Sequence, residues 1–154
     1  MFYGCTGLLT VPENSIKIAN IKVGCCISMF QGCSNLVSVP DNLLTDSSIP
    51  DSCFYDMFNG CSSLTTAPKL PATTLGLNCY KGMFARCSNL VNVSPLPATI
   101  LVSECYRNMF YDCSKLAEIE VNFTDWNTAN NATDNWLYGV SATGTFIKPS
   151  ALAE

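Results

Sequence analysis

The chain has 154 residues, 48% of them hydrophobic and 13% charged, with a formal net charge of −4 and no histidine. That apolar content is enough for a continuous core, while the eight basic residues lie scattered from Lys17 to Lys148 and supply no stripe for nucleic-acid phosphates. No stretch approaches the ~20 apolar residues needed to cross a bilayer. From the first residue the chain is inside a repeat. One pattern (Met-Phe, two residues, Cys, Ser or Thr, one residue, Leu) occurs five times, as Met1-Phe2…Cys5-Thr6…Leu8, Met29-Phe30…Cys33-Ser34…Leu36, Met57-Phe58…Cys61-Ser62…Leu64, Met83-Phe84…Cys87-Ser88…Leu90 and Met109-Phe110…Cys113-Ser114…Leu116. The Met positions are separated by 28, 28, 26 and 26 residues, a period that signals stacked repeats. An array usually begins with a polar cap, so an opening inside a repeat suggests a fragment of a longer protein.

Just before each Met-Phe pair a second column recurs. Cys25, Cys53, Cys79 and Cys105 each lie four residues ahead of a Met, and Phe54, Tyr80 and Tyr106 follow three of them. Cys53, Met57 and Cys61 stand at i, i+4, i+8, one face of a helix, so a short helix is expected over residues 53–60. Ser52 is its expected N-cap, with Asn78 and Ser103 in the matching places of the next two copies. A helix of this length is marginal alone and would rely on its neighbours.

After each helix an extended run is expected: Leu36-Val37-Ser38-Val39, Leu64-Thr65-Thr66-Ala67, Leu90-Val91-Asn92-Val93 and Leu116-Ala117-Glu118-Ile119. One such strand per repeat would build a parallel ladder, ended by Pro12, Pro40 and Pro68, which lack the N–H a ladder needs. Leu-Pro-Ala-Thr at 70–73 and 96–99 then forms a surface connection. A sixth, degenerate copy carries Trp136-Leu137-Tyr138-Gly139 in place of Met-Phe, with Trp126 as an isolated anchor before it and Phe146 closing the unit. The expected division is five repeats over 1–121, a terminal cap over 122–147 and a tail over 148–154. The expected fold is an α/β solenoid of right-handed coils, one short parallel strand and one short helix per repeat.

The Met-Phe-x-x-Cys-Ser-x-Leu unit with a strand after it resembles the BspA-type leucine-rich repeats of bacterial surface proteins, clearly over 1–121 and weakly over 122–147. The resemblance implies a leucine-rich-repeat solenoid in a cell-surface or secreted protein, some relatives acting as adhesins for host matrix proteins or other cells. It carries no ligand motif and implies no cofactor.

The ten cysteines do not read as a metal site. Zinc pairs are separated by two to four residues, whereas the column cysteines here are separated by seven, and Cys25-Cys26 is adjacent. Within a helix Cys53 and Cys61 would be ~12 Å apart, beyond the ~7 Å a disulfide spans; bridges between neighbouring copies stay open. The expectation is two columns of buried free thiols acting as small hydrophobes.

No catalytic residues are expected. A cysteine nucleophile usually needs a base and histidine is absent. Glu118 and Glu120 share a strand face, but read as a solvated pair rather than a glycosidase dyad. Asn92, Asn122 and Asn131 open glycosylation-type triplets. The candidate partner-binding surface is the exposed strand column Thr10, Ser38, Thr66, Asn92 and Glu118, whose small hydroxyl and amide groups suit a glycan or an extended peptide. A convex site using Tyr55, Tyr80, Tyr106 or Tyr111 competes with it, since hot spots favour Tyr, Trp and Arg. The expected function is a non-enzymatic recognition or adhesion module; the alternative is a structural spacer of a larger surface protein with no ligand of its own.

Overall fold

The computed structural model describes residues 1–14, 18, 20–126 and 130–153. Lys17, residues 127–129 of the expected cap and Glu154 of the expected tail lie outside the described residues. Four short strands are present: β1 (Ser48–Ile49), β2 (Thr74–Leu75), β3 (Glu118–Glu120) and β4 (Thr145–Ile147). They form two parallel two-stranded sheets, β1 with β2 and β3 with β4, in registers Ser48↔Thr74 and Glu118↔Thr145.

This overturns the expected α/β leucine-rich-repeat solenoid. There is no α-helix among the described residues, and of the four expected strands only the last is realised, shifted to β3. At the others, parallel pairing shrinks to single bridges, Thr10↔Ser38 and Thr66↔Asn92. Pairing instead extends into the expected connecting segments, at Ile18↔Leu44, β1/β2 and Leu96↔Val121.

The reason no helix forms lies in the backbone. Residues 52, 56 and 60 all have positive φ (Ser52 54°, Asp56 52°, Gly60 77°), and the same four-residue beat returns at Gly24, Ser28 and Gly32, at Asn78, Gly82 and Arg86, and at Glu104, Asn108 and Asp112. A left-handed residue every fourth position prevents the i→i−4 ladder of an α-helix. Gly, Asn and Asp, which tolerate that conformation best, fill most of the slots.

The hydrogen bonds show what forms instead. Odd-numbered residues of the third copy donate three residues back, as Met57 N to Phe54 O at 3.2 Å and Cys61 N to Phe58 O at 3.0 Å. Even-numbered ones donate to the next copy, as Phe54 N to Cys79 O at 2.9 Å and Phe58 N to Met83 O at 2.8 Å. Each segment is therefore a row of tight turns that bonds along its own length and, with alternate amides, to the row beyond. Backbone groups are thus paired without a helix, and about half of these bonds run between copies.

Side chains repeat in the same direction. Phe2, Phe30, Phe58, Phe84 and Phe110 stack with centroids 5.2–5.8 Å apart and planes within 3° of parallel. A second file, Phe54, Tyr80 and Tyr106, stacks at 5.8 and 6.0 Å. Trp136 closes both files, 6.2 Å from Tyr106 and 6.4 Å from Phe110. Trp126 is not isolated: it packs on Phe123, Trp136 and Phe146, and its Nε1 donates to Ala153 O at 3.0 Å.

Candidate functional sites

The strand column stays on the surface. Thr10, Ser38, Thr66, Asn92 and Glu118 are all exposed. Thr10 lies beside Ser38 and Thr66 beside Asn92, with Val37 N bonded to Leu9 O and Thr65 N to Val37 O linking successive copies. Exposed Leu9, Val37 and Val91 run alongside. Glu118 and Glu120 flank inward-facing Ile119 on β3. Asn92, Asn122 and Asn131 are exposed.

The four tyrosines of the competing surface divide. Tyr80 and Tyr106 are 1% and 0% exposed and belong to the core file. Tyr55 and Tyr111 remain half-buried and line a shallow concavity of about 210 Å³ on the turn rows, with Asn59, Lys81, Arg86 and Asn108. The left-handed beat explains this lining, because it turns residues such as Tyr55 and Tyr111 outward while Phe58 and Phe110 turn in. Lys81 lies over the Tyr55 ring at 5.5 Å and pairs with Glu104, which also accepts from Arg107 at 2.8 Å. The Lys81 bond, then that of Arg107, holds the Glu104 carboxyl below the usual range. Burial pushes the Asp56 carboxyl up, against an Asn59 hydrogen bond and the Lys81 and Arg86 charges. Tyr111 stacks on exposed Tyr138 at 4.9 Å, which extends the aromatic surface beyond the concavity.

Arg86 is the one basic residue at its repeat position. Its slot holds Gly4, Gly32, Gly60 and Gly139 in four other copies and Asp112 in the fifth, all left-handed. An arginine there accepts a backbone conformation that its side chain disfavours, at φ 60°. Its side chain is exposed at the rim of the concavity and makes no ion pair among the described residues. The sequence did hold this signal, as the one basic residue at a position otherwise given to Gly and Asp.

A second grouping was not reached from sequence. Cys25 Sγ lies 3.2 Å from Cys26 Sγ and 3.0 Å from Cys53 Sγ, and all three sulfurs fall within 4.8 Å of one another. Cys25 is exposed while Cys26 and Cys53 are buried. Cys26, then Cys25, hydrogen-bonds toward Cys53 and lowers its thiol, whereas the Cys53 hydrogen bond and then burial raise Cys26. Zinc-type spacing joins ligands within one copy, whereas this cluster is assembled from two.

Four cysteines of the Met-Phe column have a definite role. Cys33, Cys61, Cys87 and Cys113 donate to the carbonyls of Phe2, Phe30, Phe58 and Phe84, one copy back, at 3.0–3.2 Å. They are hydrogen-bonding rungs as well as small apolar groups. No helix is long and apolar enough to cross a membrane among the described residues. Comparison of the chain with protein-family models, with curated proteins and with solved structures gives no match.

Proposed function

We propose that the chain is a non-enzymatic recognition module that takes a protein or glycan partner on its turn face, at the concavity between Tyr55 and Tyr111. The observation that carries this reading is Arg86. Strained backbone persists where something else maintains it, and it gathers at binding sites; here a left-handed arginine, in no ion pair among the described residues, lines the same concavity as two half-buried tyrosines. Tyr and Arg are the side chains that most often dominate partner binding, and Arg offers a planar fork of donors to carboxylates or sugar hydroxyls. The sequence resemblance to bacterial surface repeats supports a cell-surface or secreted setting and an adhesive role. The strand column is the second reading, favoured by exposed Leu9, Val37 and Val91 beside its hydroxyl groups.

The test is binding to a panel of host matrix proteins and glycans by the native chain, an Arg86→Gly/Tyr111→Ala double variant and a Thr66→Lys/Asn92→Lys double variant. Loss of at least ~10-fold in affinity, the weight of one good hot spot, is expected in the first variant alone. Loss only in the second moves the site to the strand column. Binding by none of the three makes the chain a structural spacer.

A further inference from the structure

The Cys25, Cys26 and Cys53 cluster originates in one departure from the repeat. In three copies the residue after the column cysteine is aromatic, Phe54, Tyr80 or Tyr106, and continues the core file. In the second copy that slot holds Cys26. A third sulfur is thereby added where the column already brings Cys25 and Cys53 together from neighbouring copies. Cys79 and Cys105 occupy the same column without a sulfur in the next slot, and neither belongs to a cluster of metal-ligating groups among the described residues. The cluster is also braced: Gly24 N donates to Asp51 O at 3.0 Å and Cys26 N to Cys53 O at 3.1 Å, fixing the two rows on either side of the sulfurs. Exposed Cys25 leaves a way in.

We infer that Cys25, Cys26 and Cys53 form a three-coordinate site for a soft monovalent cation, Cu(I). The ligands are all sulfur, the donor that selects soft ions. Their number argues against zinc, which in structural sites takes four ligands; no fourth Cys, Asp or Glu joins the group among the described residues. With metal–thiolate bonds of ~2.3 Å, an ion in the plane of three sulfurs needs them about 4 Å apart. The 3.0 and 3.2 Å edges reach that by opening about 1 Å, within the range of a small χ1 rotation in each side chain. Binding replaces three S–H bonds by three Cu–S bonds, releases the three protons to water and needs no change of oxidation state. Because the ligands come from two copies, the ion also ties the second row to the third.

The experiment is an anaerobic titration of the fully reduced chain with Cu(I) against a coloured Cu(I) chelator, with alkylation of free thiols mapped by mass spectrometry. One ion per chain is expected, with Cys25, Cys26 and Cys53 protected from alkylation and Cys5 still reactive. Cys26→Phe restores the aromatic found in the other copies and so is chosen to fold. It should weaken binding by more than the ~100-fold that loss of even an outer-shell partner can cost, and Cys25→Ser should do the same. Undiminished binding in folded Cys26→Phe overturns the site. So does absence of competition with the chelator, tighter binding of Zn(II) than of Cu(I), or a mass two hydrogens short that shows Cys25 bridged to Cys53 in protein freshly purified without oxidant.

Discussion

Tyr80 and Tyr106 pose the sharpest question at the scale of single residues. Both are closed off from solvent, and neither hydroxyl has a hydrogen-bond partner among the described residues. Burial pushes both phenols well above their ordinary range. A buried polar group left without a partner costs roughly 1–3 kcal/mol, yet Phe54 fills the same file one copy earlier with no hydroxyl at all. Tyr106→Phe is therefore expected to stabilise the chain by about 1 kcal/mol, or roughly 3 °C in midpoint for a chain of this size. Thermal unfolding followed by circular dichroism measures it. A fall in midpoint would mean that the hydroxyl has a partner in solution, and the same comparison at Tyr80 tells whether the two positions behave alike.

At the scale of the element, the decisive property is the four-residue beat of left-handed residues. Gly60 has φ 77°, and a Cβ built there meets nothing nearer than Gly32 at 3.8 Å. Gly60→Ala thus tests conformation rather than space, and should destabilise by about 1–2 kcal/mol. Arg86→Gly, at the equivalent slot, should move the urea midpoint the other way by less, under ~1 kcal/mol, since glycine also loosens the unfolded chain. An unchanged midpoint in Gly60→Ala would contradict the turn rows. Far-ultraviolet spectra lacking the double minimum of an α-helix would support them. The sequence pattern alone did not separate the two forms. Cys53, Met57 and Cys61 recur every four residues, and against the helical ~3.6 per turn the mismatch accumulates only ~40° per step, too little to notice over nine positions. What distinguishes the forms is the other register. Ser52, Asp56 and Gly60, or Gly24, Ser28 and Gly32, place poor helix formers at the same beat, a weaker signal than the apolar column beside it. Which residues share a column was readable, because stacking preserves repeat position. Tyr55 and Tyr111 were legible among four candidate aromatics, but the concavity they line and the thiol cluster were not, because both join side chains from different copies at distances set by how rows pack.

For the whole molecule, stability runs from copy to copy through shared rungs, and the thiols give a way to follow it. Buried Cys61 and Cys113 are pushed up to about 12 and Cys105 to about 11, with burial the main cause in each; Cys79 and Cys87 are raised for the same reason. In the unfolded chain these thiols ionise near their ordinary value of 9.0. A group whose folded pKa lies above its unfolded one contributes stability that is complete below the unfolded value, and loses it as pH rises toward the folded value, because the unfolded chain then binds fewer protons than the folded one. The urea midpoint of the reduced chain should therefore stay level up to about pH 8.5 and fall through the window from pH 9 to about 12, with Tyr80 and Tyr106 adding to the slope above pH 10. Cys61→Ala should start from a lower midpoint, since the rung to Phe30 O is gone, yet decline less steeply because one titrating group has been removed. A midpoint that stays level to pH 12 would mean that the thiols titrate alike in both states and are not sealed in the native one. A slope equal in native chain and variant would mean that Cys61 does not titrate with unfolding. The expected result, a steeper alkaline loss in the chain that carries more rungs, would show that the Cys column is part of what holds one copy on the next.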